Sequence, residues 1–468
     1  MSLGSRELAA ALAAVIVTFA AWKGEAVVEK VLDLRYGRTL PKAGFAPPRD
    51  AAEANRQDFD YLARLTSVDR SFSPLAAAAF ERKVRQLRER AASISRAGLL
   101  LGVSEAVAEA GNAHTTVDPA TWRAFLDSVP IRFAWFADGL YVVRATSEHV
   151  DLLGARVLAV DGTSPARWSE EARRFFGGTP EHARSLSTLL MEAPAALHEL
   201  DAHAPDDRLA LRVEDGVGGE RAVEVTATPR RQAPPMTKAG RVALAELLPG
   251  EQAGVWHTVL ESAPRLPPSL REPRKTVHAE VLPGDRMLYL HLWQVRDEAP
   301  GSLAAALRAA LGPADAPRWR RIVLDLRFNS GGDYPAVYPA IRDLASRLAP
   351  DGRLLVLTDA TTFSAAIITA ALAKHFAGER TRIVGEKPGD RLAFWAEGTS
   401  VDLPNSKIAI DISTGYHDWA KGCRELRCYW PNYFYDVGVG TLDPDIAVGW
   451  RFSDYRNAVD TVLERALD

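Results

Sequence analysis

The second half of the chain alternates strand-like and helix-like patterns, and this alternation restricts the fold more than any other feature. Apolar runs typical of strands are "DRMLYLHLW", "RRIVLDLRF", "GRLLVLTD" and "RIVGE". Between them lie the helical patterns "SLAAALRAALG", "AVYPAIRDLASRL" and "AAIITAALAKHF". Strands that alternate with helices in this way are typical of parallel β-α-β crossovers. We therefore predict an α/β domain over residues 276–468.

The first half of the chain divides into regions of different character. Residues 1–128 are predicted to be mostly helical, because apolar residues recur at helical period in "AAAAFERKVRQLRERAASISRAGLLLGVSEAVAEAG". Residues 129–232 change to strand patterns such as "GLYVVRAT" and "RLALRVED", which predict a small β-rich module. The proline-rich residues 233–275 are predicted to be a linker. The fold class is thus multi-domain α/β, and 468 residues allow two to four domains at roughly 100–200 residues each.

Composition excludes some functions and leaves others open. The net charge of -3 gives no basic surplus, so a nucleic-acid partner is not expected. The two cysteines, Cys423 and Cys428, are too few for a zinc site, and we expect no metal and no cofactor. They form either a disulfide, if the protein is exported, or a pair of inert thiols.

The N-terminal segment permits two interpretations. Its apolar run of about fifteen residues is short for a transmembrane helix, which needs ~20. It is either an export signal, which would make the protein periplasmic or secreted, or an alanine-rich buried helix.

Ser364 lies where the strand pattern "GRLLVLTD" gives way to a helix, within "TDATTFSAA". One interpretation is an N-cap, since serine oxygens satisfy the first N–H groups of helices. The other is a nucleophile, because the positive end of a helix dipole stabilises developing negative charge. The small residues Ala365 and Ala366 would leave the Ala365 N–H open to a carbonyl oxygen.

Two further features are candidates for the same site. Gly331 and Gly332 follow the preceding strand, in "LDLRFNSGGDYP". They are predicted at the same edge as Ser364, because the carboxyl ends of parallel strands lie together. The alternative is a tight turn without function. His114, in the polar turn "AEAGNAHTTVDP", is a candidate base, with Lys374 and Lys387 as alternatives.

Several motifs resemble those of the S41 serine peptidases. In order along residues 278–468 they are "VLDLRFNSGG", "LTDATTFSAA", "IVGEKPGDR", "VDLPNSKIAIDIST" and "LDPDIAV". This family includes C-terminal processing (tail-specific) peptidases, the tricorn protease core and the interphotoreceptor retinoid-binding protein. "EAGNAHT" and "LLGARVLAVDG" resemble its more N-terminal segments, the second of them PDZ-like. The resemblance implies a PDZ-like module and a catalytic domain of the ClpP/crotonase-like type.

The resemblance also assigns roles to residues near the glycine turn. Ser364 matches the nucleophile, and Gly331 or Gly332 together with Ala365 matches the oxyanion hole. The expected activity is that of a serine endopeptidase acting on peptide or protein substrates. The alternative is a non-catalytic protein that binds a peptide or hydrophobic ligand on the same fold. The sequence does not indicate the oligomeric state.

Which residues the resemblance implies as base and acid depends on the branch of the family with which the chain is compared. Processing peptidases use a lysine, but that position falls near Arg391, and arginine does not give up its proton. The tricorn branch uses a histidine at the position of His114. In that branch an acid orients the histidine, and the residue that matches its position best in the sequence is Asp436, shortly before the motif "LDPD".

Overall fold

The computed structural model describes residues 25–229, 254–273, 275–298 and 300–468. The apolar N-terminal run and most of the proline-rich segment before residue 254 lie outside these ranges. None of the helices within them combines the length and apolar character that a membrane crossing requires.

The N-terminal region is helical, as predicted. Its helices are α1 (Glu25–Tyr36), α2 (Ala51–Leu62), α3 (Pro74–Glu89), α4 (Arg96–Ala108) and α5 (Pro119–Phe125). The side chains of Asp50, Ser73 and Ser95 accept hydrogen bonds from the first turns of α2, α3 and α4. These caps explain where the helices begin. A short strand, β1 (Thr116–Val117), lies between α4 and α5.

The second region forms a sheet of six antiparallel-paired strands. They are β2 (Ile131–Phe136), β3 (Gly139–Thr146), β4 (Arg156–Val160), β5 (Arg208–Glu214), β6 (Glu220–Thr226) and β7 (Trp256–Thr258). Helices α6 (Pro165–Ala172), α7 (Pro180–Met191) and α8 (Pro194–Leu200) lie between β4 and β5. The module is β-rich as predicted, but α7 and α8 were not predicted. Strand β7 pairs with β3 although it lies within the predicted linker.

One hydrophobic core joins the helices to this sheet. It contains Phe59, Phe80 and Val107 from α2, α3 and α4, together with Phe133 and Leu211 from β2 and β5. The predicted boundary at residue 128 therefore does not coincide with a gap in the core. Independent folding of the two regions, and the PDZ-like character of the second, stay predictions.

The last region contains ten strands and six helices within the described ranges. The strands are β8 (Val277–Leu282), β9 (Met287–Leu292), β10 (Trp319–Asp325), β11 (Leu348–Thr358), β12 (Thr381–Gly385), β13 (Ala393–Ala396), β14 (Ser400–Asp402), β15 (Ala409–Asp411), β16 (Gly415–Asp418) and β17 (Ile446–Ala447). The helices are α9 (Leu303–Leu311), α10 (Tyr338–Ser346), α11 (Ala365–Ala377), α12 (Trp430–Tyr435), α13 (Phe452–Arg456) and α14 (Thr461–Leu467).

The main sheet of this region confirms the predicted β-α-β alternation. Its strand order is β17-β12-β11-β10-β9-β8, parallel from β17 to β9, with β8 antiparallel at the edge. Alternate residues face opposite sides, since Leu288 and Leu290 join the core beneath α9, α10 and α11, while Tyr289 joins the core on the other face. The carboxyl ends of β10 and β11 meet, where Phe363 N–H donates to Asn329 O at 3.0 Å.

Two small sheets attach the other regions to this one. In the first, β1 pairs with β15, and β15 with β14, so the residues just after His114 are tied to residues 400–411. In the second, β13 and β16 form an antiparallel pair. The mixed α/β class is thus confirmed, and the ClpP/crotonase-like label stays a prediction.

Candidate active site

Ser364 lies between β11 and α11 in a backbone conformation that is rare for a residue with a side chain. Its φ and ψ are 54° and -125°. A non-glycine residue in such a region stores about 1–3 kcal/mol of strain, and such strain concentrates at functional sites. Although Ser364 occupies the N-cap position of α11, its side chain makes no capping hydrogen bond. The capping interpretation therefore does not account for this serine, which lines a cavity.

The loop before Ser364 is held by hydrogen bonds to one carboxylate. Asp359 Oδ1 accepts from the backbone N–H groups of Thr361 and Thr362, each at 2.9 Å. Thr362 Oγ1 donates to Leu326 O at 2.9 Å, which ties the loop to the end of β10. Burial raises the pKa of Asp359, although its hydrogen bonds oppose that rise. These hydrogen bonds fix the loop on the N-terminal side of the serine.

The glycine turn lies directly against Ser364. Gly331 has φ 108°, and a Cβ there would lie 2.6 Å from Ser364 Cβ. Gly332 has φ 141°, and a Cβ there would lie 2.1 Å from Val295 O. Only glycine fits either position, because the neighbours include fixed backbone.

The oxyanion-hole prediction needs one correction. The Gly331 N–H is already engaged, since it donates to Asn329 Oδ1 at 2.8 Å. The Ala365 N–H is the first of α11 and has no acceptor within its own helix. Ala365 and Gly332 remain the predicted donors, while Gly331 contributes space.

The loop that carries His114 is held in place by hydrogen bonds from its other residues to distant parts of the chain. The side chain of Asn112 donates to Trp395 O at 3.0 Å and accepts from Trp395 N at 3.1 Å. Thr115 Oγ1 donates to Asp69 Oδ2 at 2.8 Å. Arg391, near which the resemblance places the lysine of processing peptidases, donates to Gly111 O at 3.3 Å. This arginine thus supports the histidine loop.

His114 and Ser364 line the same cavity, and the histidine ring lies between two phenylalanine rings. Its centroid is 4.3 Å from that of Phe363, the residue before Ser364, and 4.9 Å from that of Phe394. Neither ring nitrogen is hydrogen-bonded to any residue that the structure describes. The closest carboxylate oxygen in an ion-pair geometry is Asp390 Oδ2, 3.5 Å from His114 Nδ1.

The predicted acid, Asp436, lies elsewhere. Its carboxylate pairs with Arg424, with 2.8 Å between Arg424 Nε and Oδ1, and the hydrogen bond from Arg424 lowers its pKa. Among the described residues it neither lines the cavity nor contacts His114. The carboxylate beside the histidine is that of Asp390, whose side chain is only 3% exposed. Its only sequence signal is its position next to Arg391.

The alternative lysine bases do not reach the cavity. Lys387 is 61% exposed and lies 3.3 Å from Asp443, and Lys374 Nζ donates to Thr441 O at 2.7 Å. Neither is among the described residues that line the cavity. Two imidazoles line the cavity, those of His114 and of a second histidine, His182.

His182 was not predicted from the sequence. It lines the cavity and stacks on the other face of Phe363, with ring centroids 4.9 Å apart. Burial lowers its pKa from 6.5 to about 4, against the opposing charge of Asp390. His182 is therefore neutral at neutral pH. No local motif marks it, because it lies within α7.

The cavity has a volume of about 530 Å³, enough for several side chains of a peptide. One wall comes from the first sheet and includes Phe133, Trp135 and Phe136. Glu386 lines it too, and burial raises the pKa of this carboxyl. In the ranges that the structure describes, no group of three or more His, Cys, Asp or Glu residues is arranged to hold a metal ion.

Cys423 and Cys428 form a disulfide, with Cα atoms 5.9 Å apart. None of the described residues 419–435 lines the cavity, so the loop that carries this disulfide does not cover the site. The loop instead packs against α1, where Tyr36 Oη donates to Cys428 O at 2.9 Å.

The comparisons with known proteins rest on structure alone. No family model matches the sequence, and no curated protein gives a significant match. Mature CPAF in complex with lactacystin superposes with a TM-score of 0.53 at 11% identity, covering 89% of this chain and 98% of CPAF. Another structure of mature CPAF gives 0.53 at 13% identity, covering 89% and 96%. This chain has the fold of CPAF.

The photosystem II D1 C-terminal processing protease is more distant. It gives a TM-score of 0.36 at 14% identity, covering 84% of this chain and 93% of the protease.

Proposed function

We propose that this chain is a serine peptidase of the S41 type that hydrolyses peptide bonds through Ser364. The observation that carries the proposal is that Ser364, strained and without a capping bond at the start of α11, shares one cavity with His114. The motifs that resemble S41 peptidases support the same conclusion. Peptides or proteins are the proposed substrates.

The proposed mechanism begins with proton transfer. His114 takes the proton from Ser364 Oγ as the oxygen attacks the substrate carbonyl carbon. The carbonyl oxygen becomes an oxyanion and accepts hydrogen bonds from the N–H groups of Ala365 and Gly332. His114 then gives its proton to the leaving amine, and an acyl-enzyme remains. Water, deprotonated by His114, releases the acyl group and restores the serine.

Asp390 is the proposed orienting acid. Its 3.5 Å approach to His114 Nδ1 allows a hydrogen bond after a small movement, which would direct Nε2 toward the serine. The Ser364–His114 hydrogen bond is not formed here, because both ring nitrogens lack partners among the described residues. Catalytic hydrogen bonds are often long without substrate and shorten in the complex.

That same unformed bond favours the second candidate, a non-catalytic protein that binds a peptide or a hydrophobic ligand. The apolar walls of the cavity suit such a ligand.

The disulfide further supports the proposal that the chain is exported to an oxidising compartment.

Ser364→Ala tests the proposal, with Ser330→Ala as the matched control because Ser330 also lines the cavity. We expect the wild-type protein and Ser330→Ala to be labelled by a fluorophosphonate probe and to cleave an unstructured protein. Ser364→Ala should do neither while keeping its fold. Labelling that persists in Ser364→Ala would exclude this serine as nucleophile. A wild-type protein that binds peptides without labelling or cleavage would favour the binding protein.

A further inference from the structure

His114 lies in the middle of a continuous stack of flat rings. The ring centroids are 4.9 Å apart for His182–Phe363, 4.3 Å for Phe363–His114, 4.9 Å for His114–Phe394 and 4.9 Å for Phe394–His417. The angles between neighbouring planes are 21°, 24°, 12° and 16°. The five rings come from α7, the loop before α11, the loop after α4, β13 and β16. Tertiary structure alone assembles this stack.

The faces of the His114 ring are held more firmly than its edge. No described residue hydrogen-bonds either nitrogen, and Asp390 Oδ2 lies at 3.5 Å. With a ring on each side, rotation about the Cβ–Cγ bond would drive the imidazole into a phenylalanine, whereas sliding within its plane meets less resistance. The two phenylalanines therefore select the plane in which the nitrogens move.

Of these two rings, Phe394 is the one anchored independently of the serine. It is 4% exposed and is the direct cross-strand partner of fully buried His417 in the β13–β16 pair. The next residue, Trp395, exchanges two hydrogen bonds with Asn112 in the histidine loop. Phe363, by contrast, precedes Ser364 directly and shares its loop. Phe394 thus provides a fixed wall against which His114 is aligned with the serine loop.

We propose that Phe394 is a positioning residue, whose ring confines the His114 imidazole to the plane from which it reaches Ser364. This inference rests on the proposed function and adds to it a second constraint on His114, which acts on the faces of the ring while Asp390 acts on its edge. A misplacement of about 1 Å at a reacting group can reduce the rate by about 10²-fold. Loss of the ring should therefore slow the reaction of Ser364 without weakening the binding of small reagents to the cavity.

Phe394→Leu removes the ring, and Phe394→Tyr keeps an aromatic ring at this position. The control is Phe80→Leu, which makes the same change in a phenylalanine of α3 that is 0% exposed. The first measurement is inactivation by a fluorophosphonate, resolved into its maximal rate and its half-saturating concentration. We expect Phe394→Leu to lower the maximal rate by about 10²-fold with little change in half-saturation. Phe394→Tyr should recover most of the rate, and Phe80→Leu should match the wild type.

The second measurement is independent of catalysis. In protein labelled with ¹³C-histidine, the His114 ring proton signals, assigned with His114→Gln, should be shifted upfield by the two flanking rings. Phe394→Leu should remove much of this shift. Circular dichroism shows whether Phe394→Leu is folded, and if it is not, Phe394→Met takes its place in both measurements.

The outcomes separate the inference from the function on which it rests. Wild-type inactivation rates in folded Phe394→Leu would overturn the positioning role while leaving Ser364 as nucleophile. An unchanged His114 signal in that variant would likewise overturn it. A wild-type protein that is never labelled would overturn the proposed function, and the positioning role with it.

Discussion

Gly331 and Ser364 illustrate at the scale of single residues how closely two backbone segments meet in the site. A Cβ at residue 331 would lie 2.6 Å from Ser364 Cβ and 3.0 Å from Ala365 N. Gly331→Ala should therefore displace the serine loop, abolish probe labelling and reduce the free energy of unfolding. Labelling and urea unfolding measure the two effects.

Gly218→Ala is the matched control for this change. Gly218 also has positive φ, 85°, but a Cβ there would meet nothing within 4 Å. The free energy of unfolding of this variant should fall only by the conformational cost of about 1–2 kcal/mol, and probe labelling should be unchanged. Equal losses of stability in the two variants, with labelling intact in both, would show that the collision with Ser364 is unimportant.

His182 should make the protein sensitive to acid. Its pKa is about 4 in the folded protein, below the ordinary 6.5. Between these values the unfolded chain binds a proton that the folded protein does not, so the free energy of unfolding should fall as the pH drops from ~6.5 to ~4. His182→Phe keeps a ring against Phe363 and should flatten this dependence, measured by urea unfolding at several pH values.

An exposed histidine provides the comparison for His182. His203→Gln should leave the pH dependence unchanged, since His203 is exposed to solvent. If the His182→Phe protein kept the wild-type slope between pH 6.5 and 4, the acid sensitivity would originate in another group.

Individual residues were predictable where a local motif marked them. Ser364, Gly332 and His114 stand in short polar or glycine-rich turns next to strong strand and helix patterns. Asp390 and His182 reach the site through tertiary packing, and no spacing in the sequence connects them to it. Asp436 pairs with Arg424 and does not line the cavity, and it was chosen from a resemblance between motifs that carries no information on contacts with His114.

At the scale of elements, regular patterns predicted regular structure. Strands β9 to β12 and helices α9 to α11 were confirmed because each carries a continuous apolar pattern. Strand β7 has only three residues within a proline-rich segment, and its pairing with β3 depends on the sheet already present. Helices α7 and α8 were missed between strands that otherwise predicted a simple β module.

The disulfide loop gives a prediction at the element scale. Replacing both Cys423 and Cys428 with serine should lower the free energy of unfolding by about 2 kcal/mol or less, because the closed loop is short. Probe labelling should remain near the wild-type rate, since the loop lies outside the cavity. Thermal unfolding and labelling measure these effects.

Reduction of the wild-type protein provides the matching comparison for the disulfide loop. Dithiothreitol should reproduce the stability loss of the double variant and have no effect on the variant itself. Loss of labelling in the folded double variant would show instead that the loop supports the site.

For the molecule as a whole, a buried ion network joins the main sheet of the last region to the C-terminal helix. Arg327, 2% exposed, lies within 2.5 Å of Asp325 and 2.8 Å of Asp460. Asp460 also caps α14, because its side chain accepts from Leu463 N. Asp460→Ala should cost about 3–5 kcal/mol, since it leaves a buried arginine short of a partner.

An exposed ion pair supplies the control for Asp460. Asp443→Ala removes the partner of Lys387 at a site 62% exposed and should cost less than about 1 kcal/mol. Chemical denaturation compares the two variants. Similar small losses in both would mean that the buried network does not hold α14 to the sheet.

The proposed site is built from segments that are far apart along the chain. The cavity takes lining residues from 113–136, 182–188, 327–364, 386–413 and 448–462. A nascent chain that has emerged through residue 330 already contains His114 and the first sheet but lacks Ser364 altogether. We expect such a nascent chain not to hydrolyse other proteins near the ribosome. Peptidase activity should arise only when synthesis is nearly complete. The order of these segments along the chain would thereby delay activity until the C-terminal residues have been made.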